Sequence, residues 1–201
     1  MNILVIGGTL MIGRSFVENL LANYSDYNVT LANRGLSNPK LFDLKSIKID
    51  RNNNCSVLNE HFYDLAIDFS CYNVEHFKNV YHHVRSKFYL YISTVCVDYE
   101  HLINNEDQDN ALSVYCKKKK KVEEYIAELN DPRIVIYRPL TVYGDYDYTR
   151  RFKKIGNKYY HGSHCASDDK KHYISQESLT IELSKIMEQL WTSTPKVLSQ
   201  N

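Results

Sequence analysis

Residues 1–13 read MNILVIGGTLMIG, and the fold turns on this stretch. Ile3–Ile6 is a short apolar run of the kind that forms a buried strand, and it passes straight into Gly7-Gly8-Thr9-Leu10-Met11-Ile12-Gly13. The residues that follow, Ile12–Leu21, place Ile12, Phe16, Val17, Leu20 and Leu21 at helical spacing. Glycines at such a strand-to-helix turn let the backbone approach a pyrophosphate, which the free N–H groups of the helix start then bind. Leu10 stands where the usual G-x-x-G-x-x-G spacing has its middle glycine. An ordinary tight turn is the bland alternative. The position at the head of the chain, directly after an apolar strand, favours dinucleotide binding by residues 7–13.

Working outward, the same alternation recurs. Val29–Ala32, Ile47–Ile49, Leu65–Phe69, Phe88–Ile92 and Ile134–Tyr137 read as buried strands. Val74–Val84 and Val114–Leu129 carry helical apolar spacing between them. Strands alternating with helices imply right-handed crossovers and a parallel sheet covered on both faces. The predicted class is therefore α/β, a doubly wound parallel sheet of the Rossmann type, with ligands at the carboxyl ends of the strands. After Gly144 the pattern loosens into a polar stretch, Asp145–Lys171, then resumes in a helix at Gln176–Leu190 and a short strand at Lys196–Ser199. This divides the chain into a dinucleotide-binding core, 1–144, and a short substrate-side region packed on it, 145–201.

Composition excludes several classes. The chain has 201 residues, 43% of them hydrophobic, enough for one domain with a sizeable core. A net charge of +1 gives no overall electrostatic case for nucleic acid or membrane binding. The N-terminal apolar run is too short to span a bilayer and lacks the regions of a signal peptide, so a cytoplasmic location is expected. Five cysteines, an odd number without a CxxC pair, argue against a disulfide framework. His161, His164 and Cys165 are potential metal ligands, but no second cluster completes a site, so a polar loop is expected and no metal.

Cofactor choice is read at the end of the second strand, VTLANRG. An NAD site usually places a carboxylate there, whereas an arginine suits the 2′-phosphate of NADP. Asn33 followed by Arg34 favours NADP(H), with NAD(H) as the alternative. Asp50, closing the third strand, is a candidate partner for the adenine amino group or a helix cap.

Tyr115 and Lys119, in the run YCKKKKK over residues 115–121, lie one turn apart on one helix face. An ammonium so placed lowers a phenol's pKa and holds a ribose hydroxyl, making the phenol a usable acid/base. Thr94, ending a strand in Ile92-Ser93-Thr94, can orient a carbonyl or alcohol. Successive lysines rotate by about 100° around a helix, so Lys117, Lys118, Lys120 and Lys121 read as a solvated face. Cys116 reads as a half-buried helix cysteine, with a redox switch as the sharper alternative.

The glycine loop, the Ile-Ser-Thr ending, Tyr115 and Lys119 with Glu123 one turn on, and Arg138–Gly144 (RPLTVYG) occur in one order. In this the chain resembles the extended short-chain dehydrogenases/reductases, the NAD(P)-dependent epimerase/dehydratase family, over most of its length. The resemblance implies hydride transfer with a Tyr115-Lys119-Thr94 catalytic set, acting on a nucleotide-activated or small sugar, and leaves a homodimer open. Val95 and Cys96 replace the acid and base that the family's dehydratases use, so epimerase or ketoreductase chemistry is implied instead. Asp147–Phe152 is similar to a family stretch in which an arginine faces the substrate, which points to Arg151. The C-terminal part is shorter than in the family, which keeps a second class in view: a non-catalytic dinucleotide-binding sensor or subunit. RNA binding has only the lysine run and the Asn33-Arg34-Gly35 turn behind it.

Overall fold

The computed structural model describes residues 1–36, 42–53 and 55–192. Six strands form the main sheet: β1 (Asn2–Ile6), β2 (Asn28–Asn33), β3 (Lys45–Lys48), β4 (Phe62–Asp68), β5 (Arg85–Ile92) and β6 (Ile134–Tyr137). Every pairing is parallel, and the order is β3-β2-β1-β4-β5-β6. The order reverses between β1 and β4, which opens a crevice at the carboxyl ends of these two strands. Five helices accompany the sheet: α1 (Met11–Asn23), α2 (Val74–Tyr81), α3 (Glu100–Ile103), α4 (Ala111–Leu129) and α5 (Gln176–Thr192).

The period of two along β1 sorts these helices onto two faces. Ile3 and Val5 pack with Phe16, Val17 and Leu20 of α1, and with Leu179 of α5. Leu4 and Ile6 point the other way, into a cluster with Phe77 and Tyr81 of α2 and Val122 and Ile126 of α4. Burying a side chain of this size is worth roughly 1.5–3 kcal/mol. Both clusters are continuous across the sheet, so β1 is held from above and below. The second face is rich in tyrosine: the Phe77 ring meets Tyr81, Tyr89, Tyr91 and Tyr125 at centroid distances of 5.0, 5.6, 5.9 and 6.0 Å. Core packing thus accounts for several of the chain's 17 tyrosines.

Helix starts follow their capping residues. Asn73 accepts from the His76 N–H at 2.8 Å to begin α2, and Asn110 accepts from the Ser113 N–H at 2.9 Å to begin α4. Asn130 ends α4 in the left-handed region with φ 47°.

The polar stretch after Gly144 is more ordered than its composition suggests. β8 (Lys153–Ile155), β9 (Lys158–His161) and β10 (His164–Cys165) form a small antiparallel sheet. Gly156 and Gly162, at φ 59° and 60°, make its two tight turns. On either side, β7 (Thr141–Tyr143) pairs in parallel with β11 (Tyr173–Ser175), which leads into α5. The strand expected at Lys196–Ser199 lies outside the described residues. Among those described, no helix is long and apolar enough to cross a membrane.

Candidate functional site

The loop after β1 is built by close approach. Gly7 adopts φ 84°, and a Cβ on it would lie 2.7 Å from the Cβ of Ser70. A Cβ on Gly13 would lie 2.3 Å from the Gly7 carbonyl oxygen, so the start of α1 sits directly against the loop. Gly8 serves packing instead: its Cβ would press on Val5 and Leu31, and it does not line the cavity that the loop borders. Leu10 precedes α1 in an extended conformation and makes no side-chain capping bond. The first N–H groups of α1 are therefore left for a ligand, an arrangement suited to phosphate. Leu10 was the position at which a glycine was missed, yet the left-handed residue is Met11, with φ 44°. A non-glycine residue there carries strain of about 1–3 kcal/mol.

At the far end of the cavity, Asn33 and Arg34 have different tasks. Asn33 Oδ1 accepts from the Gly35 N–H at 2.8 Å, which shapes the turn. Arg34 lines the cavity, is exposed, and has no ion-pair partner among the described residues. Asp50 caps a turn rather than a helix: its Oδ1 accepts from the N–H and Nδ2 of Asn52, both at 3.0 Å. The Asn52 backbone bond holds the Asp50 carboxyl below its ordinary pKa, so it is ionised beside Arg34.

Beneath the loop lies a buried ion pair that sequence patterning does not reveal. Arg51 donates to both oxygens of Asp68, at 2.8 and 3.2 Å, and to Ser70 Oγ at 3.0 Å. Asp68 also accepts from Tyr89 Oη at 2.9 Å and the Ser70 N–H at 3.0 Å. Burial opposes the charge on Arg51, but the Asp68 carboxylate outweighs it and raises the guanidinium pKa. The pair fixes Ser70, the residue on which Gly7 closes. An alternation of apolar residues gives no hint of it, because Asp68 occupies an inward strand position that reads as apolar.

Thr94, Tyr115 and Lys119 line the same cavity. Thr94 lies two residues past β5 and caps a short 3-10 turn, Val95–Asp98, its Oγ1 accepting from the Cys96 N–H at 3.3 Å. Lys119 alone in the lysine run is buried. Its Nζ donates to the carbonyls of Cys71 at 2.9 Å and Ile92 at 2.6 Å, and lies 4.6 Å from the Tyr91 ring centroid. Three ammonium protons less two leaves one for a ligand hydroxyl. Burial lowers the Lys119 pKa to about 8. Tyr115 differs from expectation. Burial, and then Tyr72, push its phenol above the ordinary tyrosine value, against the pull of Arg151. The pKa lowering expected from Lys119 is not seen, because the ammonium is engaged by two backbone carbonyls and desolvation dominates. Lys118 and Lys121 are exposed as expected, but Lys117 and Lys120 are half-buried, and Lys117 donates to the Asn105 carbonyl, pinning the loop before α4.

A second departure concerns the cysteines. Cys96 and Cys116 form a disulfide, while Cys55, Cys71 and Cys165 are free. One bond within an odd set, between residues 20 apart, leaves no framework pattern to read in the sequence. Oxidised in this way, Cys96 has no thiol proton, which strengthens the case against elimination chemistry at that position.

Glu123 and Arg138 turn out to brace the site. Ser93 Oγ and Arg138 both donate to the Glu123 carboxylate, the latter through Nε at 3.0 and 3.1 Å. Arg138 also donates to both Asp98 oxygens at 3.0 Å. The end of β6 is thereby tied to α4 and to the turn after Thr94. Arg151 completes the cavity wall with Tyr148 and Thr149, and the Arg151 Nε donates to Thr149 Oγ1 at 2.8 Å. The cavity measures about 840 Å³, within the range of small-molecule and cofactor sites. Its uncapped helix start, close glycine contacts, uncommitted Arg34 and spare Lys119 proton fit a nicotinamide dinucleotide. Away from it, His164 and His172 pair with Asp169 at 2.9 Å.

No family model matches the sequence, and no curated protein matches it. Solved structures do. A short-chain dehydrogenase/reductase (wide type) from Veillonella parvula, in complex with NADP, is 16% identical with a TM-score of 0.65, covering 93% of this chain and 87% of its own. The oxidoreductase YlbE from Lactococcus lactis is 14% identical with a TM-score of 0.66, covering 94% and 86%. The enzyme WbmF from Bordetella bronchiseptica, in complex with NAD+ and UDP, is 19% identical with a TM-score of 0.55, covering 72% of this chain but 50% of its own. The likeness is one of fold: the chain has a doubly wound Rossmann sheet, as these structures do, and it spans half the length of WbmF.

Proposed function

We propose that this chain, folded as the short-chain dehydrogenases/reductases are, is an NADP-dependent oxidoreductase that reduces a carbonyl group to an alcohol. The supporting observation is that the glycine loop, Arg34, Thr94, Tyr115 and Lys119 border one cavity. Solved neighbours in complex with NADP or with NAD+ support a nicotinamide dinucleotide, and the choice of NADP rests on Arg34. Residues 7 and 9–13 would hold the pyrophosphate, Arg34 the 2′-phosphate, and Lys119 a ribose hydroxyl. When bound, the reduced dinucleotide supplies the hydride and is itself oxidised. Tyr115, kept protonated by burial, donates its proton to the carbonyl oxygen as the carbon gains hydride. Thr94, whose Oγ1 accepts from the Cys96 N–H, donates its hydroxyl proton to the same oxygen and orients it. Lys119, two of its protons held by backbone carbonyls, keeps the ribose hydroxyl in place, and the phenolate recovers its proton from solvent.

A second reading is epimerisation of a nucleotide-activated sugar. It is favoured by the motif resemblance and by the UDP complex of WbmF. The test is NADPH consumption, followed by absorbance, against a panel of ketones, aldehydes and nucleotide sugars, with Tyr115→Phe as control. Reduction of one carbonyl class that is lost in Tyr115→Phe supports the proposal. Sugar interconversion without net NADPH consumption supports the second reading. NADPH binding with no turnover of either kind overturns both.

A further inference from the structure

Around Tyr115 the cavity is lined by side chains that a sugar does not call for. Tyr72, Leu112 and Tyr148 line it while remaining 46%, 52% and 57% exposed. Large apolar groups left open to water inside a cavity mark a binding surface. The Tyr72 ring meets the Tyr115 ring edge-on, with centroids 5.9 Å apart, so the aromatic wall reaches the proton donor itself. Val95, Tyr99 and Leu102 add further apolar lining.

The charges in the same cavity are few. Among the described residues lining it, Arg51 is neutralised by Asp68, and Lys119 gives two protons to backbone carbonyls. Arg34 sits at the end of β2, away from Tyr115. Arg151 remains, its Nε donating to Thr149 and its guanidinium carbon 5.8 Å from the Phe152 ring centroid, with no carboxylate partner among the described residues. It acts electrostatically on both Tyr72 and Tyr115, which places its charge beside the aromatic wall. One guanidinium suits one carboxylate, whose two oxygens match its fork of donors. The diphosphate of a nucleotide sugar carries two charged groups and finds one cation here.

We propose that the substrate is a carbonyl compound built on a flat aromatic ring and bearing one carboxylate. The ring lies against Tyr72, Leu112 and Tyr148, and the carboxylate on Arg151. This rests on the carbonyl-reductase reading above and narrows its substrate class. Aromatic rings supply large contact area with defined edge and stacking geometry, which the tyrosine wall returns.

Two arms test the proposal. In the first, 2-naphthoate, its uncharged analogue 2-naphthalenemethanol, and UDP-glucose are titrated into the NADP-loaded protein by calorimetry, so that no turnover is needed. Naphthoate binds about ten- to a hundredfold more tightly than the alcohol, the worth of a hydrogen-bonded charge. Arg151→Gln brings the two affinities together, Arg151→Lys restores part of the difference, and Tyr148→Ala weakens both. Equal affinities in the wild type, or UDP-glucose as the tightest ligand, overturn the proposal. In the second arm, NADPH consumption is measured with 4-acetylbenzoate and with acetophenone. A preference for the acid that disappears in Arg151→Gln supports the substrate class. Selective naphthoate binding with neither ketone reduced overturns the reductase reading while leaving the ligand class standing. Turnover that favours acetophenone overturns the substrate class and leaves the reductase reading intact.

Discussion

Cys96 and Cys116 are bonded to each other with their Cα atoms 5.6 Å apart, and each adjoins a candidate catalytic residue. Cys96 donates its N–H to Thr94, and Cys116 follows Tyr115 in α4. The bond therefore fastens the turn that carries Thr94 to the helix that carries Tyr115. It closes a loop of 20 residues, for which chain entropy gives about 3 kcal/mol of stabilisation. A Cys96→Ser, Cys116→Ser double variant should unfold at lower urea concentration by about that amount, with kcat reduced more than cofactor affinity. A variant as stable as the wild type would show that the small cluster of Leu102, Ile103 and Tyr115 around the bond suffices by itself.

Tyr115→Phe keeps the ring contact with Tyr72 and removes the transferable proton. Activity should fall by about two to four orders of magnitude, the usual worth of a positioned acid. NADPH affinity, read by fluorescence, should hardly move. A parallel loss of affinity would mean that the phenol binds cofactor rather than substrate.

Lys119 gives a pH signature. Its pKa is about 8 in the folded chain against an ordinary 10.5, so between these values the unfolded state binds more protons. Stability of the cofactor-free protein should accordingly rise with pH through that window, and the penalty of the buried charge should be fully present below it. Reductase activity should fall as pH rises past about 8, where the ammonium loses the third proton that reaches the ribose hydroxyl. Lys119→Met should abolish activity and flatten the stability rise. Urea midpoints across the range, with Lys118→Met as a surface control, measure this.

The parts of this molecule that were readable in sequence are those where one residue type has one physical use. The strand into Gly7, the i, i+4 pair of Tyr115 and Lys119, and the burial of Lys119 alone among five lysines all follow from period and geometry. The sheet at Lys153–Cys165 was hidden because its strands are two to four residues long and largely exposed. Its signal was present in Gly156-Asn157 and Gly162-Ser163, dipeptides suited to two-residue hairpins. The disulfide, the Arg51–Asp68 pair and the Glu123–Arg138 brace join residues 15 to 20 apart across different elements. No local pattern encodes such pairings, and the direction of the Tyr115 shift depends on burial that only the folded chain supplies.

The Arg51–Asp68 pair should be costly to break on one side. Asp68→Asn leaves a buried guanidinium without its counter-charge, a loss of about 3–5 kcal/mol. The double change Arg51→Met, Asp68→Leu should recover part of that, since no buried charge remains, while Tyr89 Oη and the Ser70 N–H lose their acceptor. Denaturant midpoints of Arg51→Met alone, Asp68→Leu alone and the double variant test whether the pair acts as a unit. Additive losses would show that each residue is held chiefly by other partners, such as Ser70 and Tyr89.

Arg34 and Asp50 should move cofactor preference in opposite directions. Both line the cavity, Arg34 without an ion-pair partner among the described residues and Asp50 ionised nearby. The 2′-phosphate of NADP would gain from the guanidinium and lose to the carboxylate, whereas the 2′-hydroxyl of NAD can donate to that carboxylate. Arg34→Ala should weaken NADPH about tenfold relative to NADH, a conservative share of the range for hydrogen bonds to charged groups because the site is exposed. Asp50→Asn should tighten NADPH and weaken NADH, and rising salt should shrink both effects. Fluorescence titrations of both cofactors with the wild type and the two variants give the result. Unchanged NADPH preference in Arg34→Ala would remove the 2′-phosphate from this end of the cavity.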